Sequence, residues 1–312
     1  MRVGQIARLM YEALEQKGFK ASIVSIEHIA DLKEEIEAYR SKGVFNEVFY
    51  RERLTGFDFS VNKQFPEAKS IIITTVPQPQ QTVCFDFKGS LHHFTIPPTY
   101  SHKTDEKIES ILSRILKREG FNLHRATLPQ KLLAVRAGMA QYGRNNIAYI
   151  EGMGSFHRLK VFLSDLPPVE DKWLELNSME KCNKCSACIK KCPTSAIVPD
   201  RFLIRVEKCL TFHNERKEAF PDWLIPSWHN CLIGCMVCQS VCPANKKFYN
   251  WFEETEHFTE RETDLILRGT PQSRLPRATA NKLKRIDLLE DLNLLPRNLD
   301  VLLKQQSDVF SQ

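Results

Sequence analysis

Nine of the ten cysteines in this 312-residue chain lie between Cys182 and Cys242, and Cys84 stands apart from them. The first four occupy eleven residues in the run CNKCSACIKKC, and a second run, CMVCQSVC, begins at Cys235. Thiolates at such short spacings are typical metal ligands, because one loop brings several of them to the same centre. In a reducing compartment these runs indicate a metal site and not disulfides. Cys84 is expected to be a small buried side chain.

The spacing of the first run indicates which metal centre it binds. Cys182-x2-Cys185-x2-Cys188-x3-Cys192-Pro193 is the spacing of bacterial ferredoxins, in which three thiolates bind one [4Fe–4S] cube and the fourth binds another. The downstream run, Cys235-x2-Cys238-x3-Cys242-Pro243, repeats the latter half of that pattern. Zinc also binds CxxC pairs, but the third cysteine, the CP dipeptide and the repeat favour iron–sulfur cubes. A thioredoxin-like dithiol would not explain the other cysteines.

The predicted ligands divide between two cubes, with one thiol left over. One cube takes Cys182, Cys185, Cys188 and Cys242, and the other takes Cys192, Cys235 and Cys238 with either Cys209 or Cys231. Because the ligands interleave, the two cubes are expected to lie close enough for fast electron transfer. The module is therefore predicted to conduct electrons from a donor to a redox centre or substrate.

Composition sets broader limits on the chain. Its length and 42% hydrophobic content are sufficient for a folded core. We expect a cytoplasmic protein without a membrane span, since the sequence contains no run of about 18 apolar residues and charges interrupt its N-terminal segment. Lys and Arg are spread along the chain, and a formal net charge of +6 permits nucleic-acid binding without requiring it.

Periodicity and turn residues predict an α/β domain before the cysteines. Helices are expected over 3–14, 31–43, 104–121 and 130–140, and strands over 21–26, 70–76, 83–87, 91–96, 147–150 and 158–167. Thr104 is expected to cap the third helix and Gly120 to end it. His92 and His93 alternate on one strand, so at most one of them faces inward.

The division of the chain follows from these elements. Residues 1–165 are predicted to form the α/β cofactor-binding domain, 166–180 a linker, 181–246 the dicluster ferredoxin-like module and 247–312 a helical extension. The leucines near the end of the extension are expected to pack back on the module.

The chain resembles the epoxyqueuosine reductases, tRNA-modifying enzymes that use cobalamin and two [4Fe–4S] clusters and are related to reductive dehalogenases. Besides the first cysteine run, the resemblance rests on FPEAKSIIITTVP (65–77), YSHK (100–103), AGMAQYGRNNIAYIEGMGSF (137–156), FLSDLP (162–167), EKCLTF (207–212) and GCMVCQSVCPANK (234–246). It implies an α+β fold: a nitroreductase-like α/β domain, then a ferredoxin-like module with two [4Fe–4S] clusters, then a C-terminal helical segment. It also favours Cys209 over Cys231 as the remaining cluster ligand.

The same resemblance implies where a cobalamin without its lower base would lie. The family holds it largely with the stretch matched by Gly138–Asn146. The cofactor-binding residues implied are His102, Gly138, Gln141, Tyr142, Gly143, Arg144, Asn145, Asn146 and Ser155. For the arginine and the two asparagines of this stretch, stabilisation of a turn is an equal alternative.

The chain departs from the family at the catalytic acid. No acidic residue occurs between Asn122 and Lys131, where the family has a catalytic aspartate, and His124 is nearest to that position. Tyr100 and Tyr142 are the other catalytic candidates. The family pattern GW-x-GKN is also changed here to QYGRNN.

These features predict an iron–sulfur oxidoreductase that passes electrons through two clusters to a cobalamin, which reduces an organic substrate. Reduced flavodoxin or a ferredoxin-type protein is the expected donor. The missing acid, and a C-terminal part too short for the family's helical-repeat domain, favour a small-molecule or corrinoid-linked substrate over tRNA. The alternative is a dicluster electron-transfer protein without cobalamin, whose pocket is empty or holds a flavin and which serves a partner protein.

Overall fold

The computed structural model describes residues 2–60 and 64–309, with side chains to residue 306 at the C-terminal end. The chain divides into two compact units. The first unit is the chain up to Pro77 together with His102–Cys185, and the second unit is Gln78–Ser101 together with the chain from Ser186 onward. Within the described residues, no helix is both long and apolar enough to cross a membrane.

Helices and strands are mixed in the first part of the described chain, and short helices predominate later. The helices are α1 Arg2–Glu15, α2 His28–Ser41, α3 Glu47–Phe49, α4 Asp105–Arg118, α5 Gln130–Arg136, α6 Ala187–Lys191, α7 Leu210–Asn214, α8 Val237–Ser240, α9 Glu260–Leu267, α10 Arg277–Arg285 and α11 Leu295–Val309. The strands are β1 Lys20–Ser25, β2 Ser70–Pro77, β3 Gln80–Phe87, β4 Ser90–Ile96, β5 Leu123–Arg125, β6 Gln141–Tyr142, β7 Ala148–Tyr149, β8 His157–Ser164 and β9 Phe252–Phe258. Single 3-10 turns lie at Pro98–Tyr100, Glu180–Cys182, Val206–Lys208, Pro226–Trp228, Pro243–Asn245 and Gln272–Arg274, and a π turn at Tyr50–Leu54.

The first unit is built on an antiparallel sheet with the strand order β1-β2-β8-β5. Strand β2 is buried on both faces, since every residue from Ser70 to Val76 is buried, and its run of isoleucines suits that central position. Helices α1 and α4 cover one face. Met10, Leu14 and Leu112, none of them exposed, pack in one cluster with Ile72 and Phe162.

The second unit combines a hairpin from the middle of the chain with the C-terminal segments. Strands β3 and β4 form the hairpin, and β9 pairs with β3 in parallel. Phe85 and Phe258 stack with ring centroids 4.9 Å apart in the centre of this core. The core also contains four leucines of the last helix, Leu295, Leu299, Leu302 and Leu303. Two residues of the cysteine segment, Leu232 and Ile233, pack in the same core. The prediction that the C-terminal leucines pack back on the module is confirmed.

Most predicted elements are confirmed, and the differences arise from pairing between distant segments. The predicted helical extension, 247–312, contains helices α9, α10 and α11, but Phe252–Phe258 is a strand, because β3 supplies its hydrogen-bonding partners from a distant part of the chain. The hairpin 78–101 belongs to the second unit, and 166–185 belongs to the first, so the compact units do not follow the linear division.

Local expectations had mixed outcomes. Gly120, with φ of +84°, lies just beyond α4 as predicted, whereas Thr104 precedes α4 without a capping side-chain hydrogen bond. His92 is buried and His93 exposed, as the alternation predicts. The expectation that Cys84 is buried is wrong: it lies half-exposed on the outer face of β3, with its Sγ 3.2 Å from Nδ1 of His93.

A buried ion group joins α4 to the central sheet of the first unit. Asp105, whose side chain is 7% exposed, accepts hydrogen bonds from Arg158 Nε at 2.8 Å and from Lys160 Nζ at 2.9 Å. Burial alone would raise the pKa of Asp105, but the hydrogen bonds and charges of Arg158 and Lys160 outweigh it, so the pKa is lowered from its ordinary value. The carboxylate is therefore stabilised in its charged form.

Replacing Asp105 with Asn should destabilise the protein by about 3–5 kcal/mol, because two partly buried cations lose their anion. Since the folded-state pKa lies below the unfolded one, this stabilisation is present above the unfolded pKa of about 3.9 and is lost as the pH falls through the folded value. Denaturant unfolding as a function of pH measures both effects. Asp300→Asn, which removes an exposed pair with Lys304, is the matched control and should change stability by less than about 1 kcal/mol. An equal loss in both variants would contradict the argument.

Candidate functional site

The two cysteine runs have the same local conformation. Each forms a short helix, α6 or α8, and in each the cysteine before proline is extended: Cys192 has φ −64° and ψ 112°, and Cys242 has φ −75° and ψ 120°. Proline disfavours the helical region for the residue before it, so the CP dipeptides end these helices. Cys209 is likewise extended, at the N-terminus of α7.

Three predicted ligands of the second cluster are electrostatic neighbours within the second unit. The pKa of Cys209 is raised to about 11, chiefly by burial, and the nearby thiols of Cys235 and Cys192 contribute to the increase. Burial also raises the pKa of Cys235, where Cys192 again adds to the increase. Several thiolates gathered in an apolar region repel one another, so this arrangement is favourable when a cationic iron cluster compensates their charge. The donor set thus fits an iron–sulfur centre.

Hydrogen-bond donors are already directed at these sulfurs. Backbone N–H groups of Thr211 and Phe212, at the start of α7, lower the pKa of Cys209 against the effect of burial. The amide of Asn230 donates from Nδ2 to Cys235 Sγ at 3.2 Å. Such donors favour the thiolate over the thiol and affect the potential of a bound cluster.

Cys231 lies beside this group but has a different environment. It is 1% exposed, and its thiol donates to Oδ1 of Asn230 at 3.2 Å. Burial raises its pKa well above the ordinary value, with a further contribution from Cys235. Among the described residues, no three His, Cys, Asp or Glu side chains are arranged around a single metal ion.

The stretch matched to the family's cobalamin segment forms a tight hairpin in the first unit. Its strands are β6 and β7, and the loop between them is closed by Gly143 N donating to Ile147 O at 2.8 Å. Asn145 is buried and donates to the hydroxyl of Tyr149 at 3.0 Å, and Asn146 takes φ of +58° in the turn. These two asparagines therefore stabilise the turn, as the alternative interpretation stated.

The same hairpin is joined to the segment that leads into the first cysteine run. Tyr142 N donates to Asn177 O at 3.2 Å, and Met179 N donates to Tyr142 O at 2.8 Å. Arg144 then donates from Nη2 to the backbone carbonyl of Cys182 at 2.7 Å, while its Nε is buried without a hydrogen-bond partner. The first predicted cluster ligand is thus connected by hydrogen bonds to the predicted cofactor stretch.

The other predicted cofactor residues differ in accessibility. Gln141 and His102 are exposed, whereas Ser155 is 1% exposed. Gly138 is exposed with φ of +70°, and a Cβ there would lie 2.9 Å from Lys172 Cε. A Cβ on Gly143 would lie 2.5 Å from Tyr149 Cε2, so that glycine is needed for packing within the hairpin.

The three catalytic candidates lie in different environments. His124 is exposed on strand β5, with its ring centroid 4.2 Å from that of Phe65. Tyr142 is buried, which strongly raises its pKa, and Glu35 adds to this effect. Tyr100 belongs to the second unit, where its hydroxyl donates to Glu215. Burial and then Glu215 raise the pKa of Tyr100 well above its ordinary value, so both phenols stay protonated near neutral pH.

Sequence reasoning missed Asn230 and Glu215, the polar partners of this region. Asn230 lies five residues before Cys235, and Glu215 directly follows α7. In the sequence, both read as polar loop residues that face solvent. Their partners become evident only when the loops are folded. An asparagine close before a cysteine run was the one available signal, and it is weak.

Comparisons with known proteins agree with the cysteine pattern. Residues 181–245 match the family described as "4Fe-4S double cluster binding domain". The chain is 32% identical over 165 residues to an epoxyqueuosine reductase of Cyclobacterium marinum, a match covering 51% of this chain and 49% of that protein. An epoxyqueuosine reductase of Staphylococcus aureus is 27% identical over 232 residues, covering 69% and 58% respectively. The matched part thus spans about half the length of these relatives.

Solved structures show the same fold. An epoxyqueuosine reductase from Bacillus subtilis superimposes with a TM-score of 0.71 at 21% identity, over 96% of this chain and 82% of that one. An epoxyqueuosine reductase in complex with an epoxyqueuosine-modified tRNA-Tyr stem loop has a TM-score of 0.61 at 23% identity, over 79% of this chain and 67% of that one. The predicted α+β fold class is confirmed. Residues 181–245 form a domain for two [4Fe–4S] clusters, and the chain is similar in sequence and in fold to epoxyqueuosine reductases.

Proposed function

We propose that this protein is an iron–sulfur oxidoreductase that passes electrons through two [4Fe–4S] clusters to a corrinoid, with reduction of an organic substrate as the outcome. The observation that supports this most directly is the connection between the hairpin 141–149 and Cys182 within the first unit. Electron transfer requires a fixed, short separation between centres. The hydrogen bonds made by Tyr142 and Arg144 hold the hairpin against the start of the cluster-binding segment.

The hairpin and the residues just before it offer groups that suit the amide-bearing edge of a corrinoid. The exposed side chain of Gln141 can donate and accept hydrogen bonds, and the exposed backbone at Gly138 permits close approach. Lys172, whose flexible end lies over Gly138, can move aside. A bound corrinoid would supply a strongly reducing cobalt centre, while the protein supplies binding, orientation and a proton.

For the clusters, we assign Cys182, Cys185, Cys188 and Cys242 to the first and Cys192, Cys209, Cys235 and Cys238 to the second. Cys209 is preferred over Cys231 because backbone N–H groups at the start of α7 face its sulfur and favour the thiolate. The thiol of Cys231 instead donates its proton to Asn230. A residue that must stay protonated for its hydrogen bond is a poor metal ligand.

The substrate also requires a proton donor, and we assign this role to His124. Burial holds the phenols of Tyr100 and Tyr142 in their protonated forms, which makes them weak acids. Histidine is the side chain that most often transfers protons in enzymes, and His124 is exposed to solvent on β5.

The distribution of charge favours an acidic electron donor such as reduced flavodoxin or a ferredoxin. Residues 181–247 contain eleven Lys or Arg against five Asp or Glu, a balance of +6 that equals the net charge of the whole chain. A positive surface attracts anionic partners and accelerates their association. The related reductase bound to a tRNA stem loop makes tRNA the alternative anionic partner, beside a small-molecule or corrinoid-linked substrate.

A second candidate function is a dicluster electron-transfer protein without cobalamin that serves a partner protein. One observation favours it: the side chains of Tyr149 and Asn145 fill the space beside Gly143, and Asn145 and Asn146 are occupied with the turn. Much of the matched stretch therefore serves the hairpin itself. Corrinoid binding distinguishes the two functions.

The cluster assignment predicts the iron content of two variants. Protein reconstituted without oxygen should bind about eight iron atoms per chain, and Cys209→Ala should reduce this to about four by removing a ligand of the second cluster. Iron and sulfide analysis with EPR spectroscopy measures the change. Cys84→Ala, which alters a half-exposed thiol on β3, is the control and should retain about eight. Full iron in Cys209→Ala would refute the assignment.

The corrinoid proposal predicts that the reconstituted protein binds added cobalamin in its base-off form, which absorption spectra detect. Gln141→Ala should weaken this binding about tenfold, the effect of losing one hydrogen bond worth about 1.4 kcal/mol. Gln16→Ala, at an exposed glutamine just after α1, should leave the affinity unchanged. If the wild-type protein with both clusters binds no corrinoid, the second candidate function replaces the first.

Arg144 should affect the first cluster selectively. Arg144→Gln keeps a donor for the Cys182 carbonyl but removes a positive charge, so the reduced cluster becomes less stable and its midpoint potential falls. We expect the equilibrium constant for reduction of the first cluster to fall about tenfold, which lowers its midpoint potential by about 59 mV for one electron. An EPR-monitored redox titration measures the potential, and Arg144→Lys, which retains the charge, should lie closer to wild type. A fall in the potential of the second cluster alone would contradict this role.

A further inference from the structure

Asn230 connects the leftover thiol, Cys231, to the predicted cluster ligand Cys235. We infer that Asn230 is a positioning residue that raises the reduction potential of the second cluster, and that Cys231 orients its amide and is not a ligand. The inference rests on the two clusters and is independent of corrinoid binding.

The side-chain amide of Asn230 has partners on both of its ends. Oδ1 accepts from Met236 N at 2.8 Å and from Cys231 Sγ at 3.2 Å. Nδ2 donates to Trp228 O at 3.0 Å and to Cys235 Sγ at 3.2 Å. Because a backbone N–H can only donate and a backbone carbonyl can only accept, Met236 and Trp228 fix which end faces which way. The N–H group must therefore face Cys235.

A hydrogen bond to a cluster sulfur acts on the redox equilibrium. Reduction adds one negative charge to the cluster and its thiolates, so an N–H donor stabilises the reduced state more than the oxidised state. The effect is large where solvent is excluded, and Cys235 lies in a region where burial raises its pKa. The potential of a cluster depends on such hydrogen bonds to sulfur.

The hydrogen bond of Cys231 is consistent only with a protonated thiol. A thiolate at this position would face Oδ1 of Asn230, an acceptor without a proton to share, 3.2 Å away. The amide cannot turn to relieve this repulsion without also losing its bonds to Met236 and Trp228. Cys231 is followed by Leu232 and Ile233 in the core of the second unit, which anchors it there. It therefore serves as a fixed donor that supports the orientation of the amide.

The test uses the protein with both clusters and an EPR-monitored redox titration. Asn230→Ala should lower the equilibrium constant for reduction of the second cluster about tenfold. This corresponds to a midpoint potential lower by about 59 mV for one electron, and the potential of the first cluster should not change. Asn230→Asp preserves the shape and the acceptor for Met236 but replaces the N–H with a negatively charged oxygen, so its shift should be larger in the same direction. Unchanged potentials in both variants would overturn the inference.

Cys231 provides an independent test that does not alter Asn230. Cys231→Ser keeps a donor to Oδ1 and should retain the wild-type potential, whereas Cys231→Ala should lower the potential of the second cluster by less than Asn230→Ala does. Both should retain about eight iron atoms per chain. Loss of about four iron atoms in Cys231→Ala would show that Cys231 is a ligand and would overturn the inference. Absence of clusters from the wild-type protein would instead refute the assignment of the double-cluster domain.

Discussion

The ionisation of buried thiols is the constraint on which the cysteine module depends. Iron binds thiolates, yet burial raises the pKa of Cys209 to about 11 and also raises that of Cys235. Burying a charge costs several kcal/mol unless opposite charge or hydrogen bonds compensate it. The cluster supplies the opposite charge, and the N–H groups of Asn230 and the start of α7 supply the hydrogen bonds. Cluster binding and folding of this segment are therefore coupled.

The core of the second unit keeps these groups in place. Leu232 and Ile233 lie between Cys231 and Cys235 in the chain, and both pack in the cluster that contains Phe85, Phe258 and the leucines of α11. Asn298 of that helix, also fully buried, donates to the carbonyls of Asn214 and Leu232 at 2.9 and 3.0 Å. A C-terminal helix far from the ligands in sequence thus positions both the end of α7 and the loop before Cys235.

Features that depend on neighbouring residues in the chain could be predicted from the sequence, and those formed by distant segments could not. The spacing of cysteines and the CP dipeptides identified the metal centre, and apolar periodicity located helices such as α1 and α4. No local pattern showed that the hairpin 80–96 joins the C-terminal core, since its partner β9 lies far away in the chain. The same limit applies to Asn230, whose role depends on a folded loop. The prediction that Cys84 is buried failed because side chains alternate along β3, so Val83 and Phe85 face the core and the thiol faces outward.

The two polar groups beside the cysteines differ in kind, and each is expected to act on its own cluster. Arg144 carries a full charge and contacts the backbone of Cys182, whereas Asn230 is neutral and contacts the sulfur of Cys235. A full charge in a partly buried position acts at longer range than a dipole, so on the proposed assignment it stabilises an added electron on the first cluster. Each group is expected to raise the potential of its own cluster by about 59 mV, so the pair makes both clusters easier to reduce without changing the difference between them. This suits either proposed function, since a corrinoid and a partner protein alike receive electrons only after the clusters are reduced.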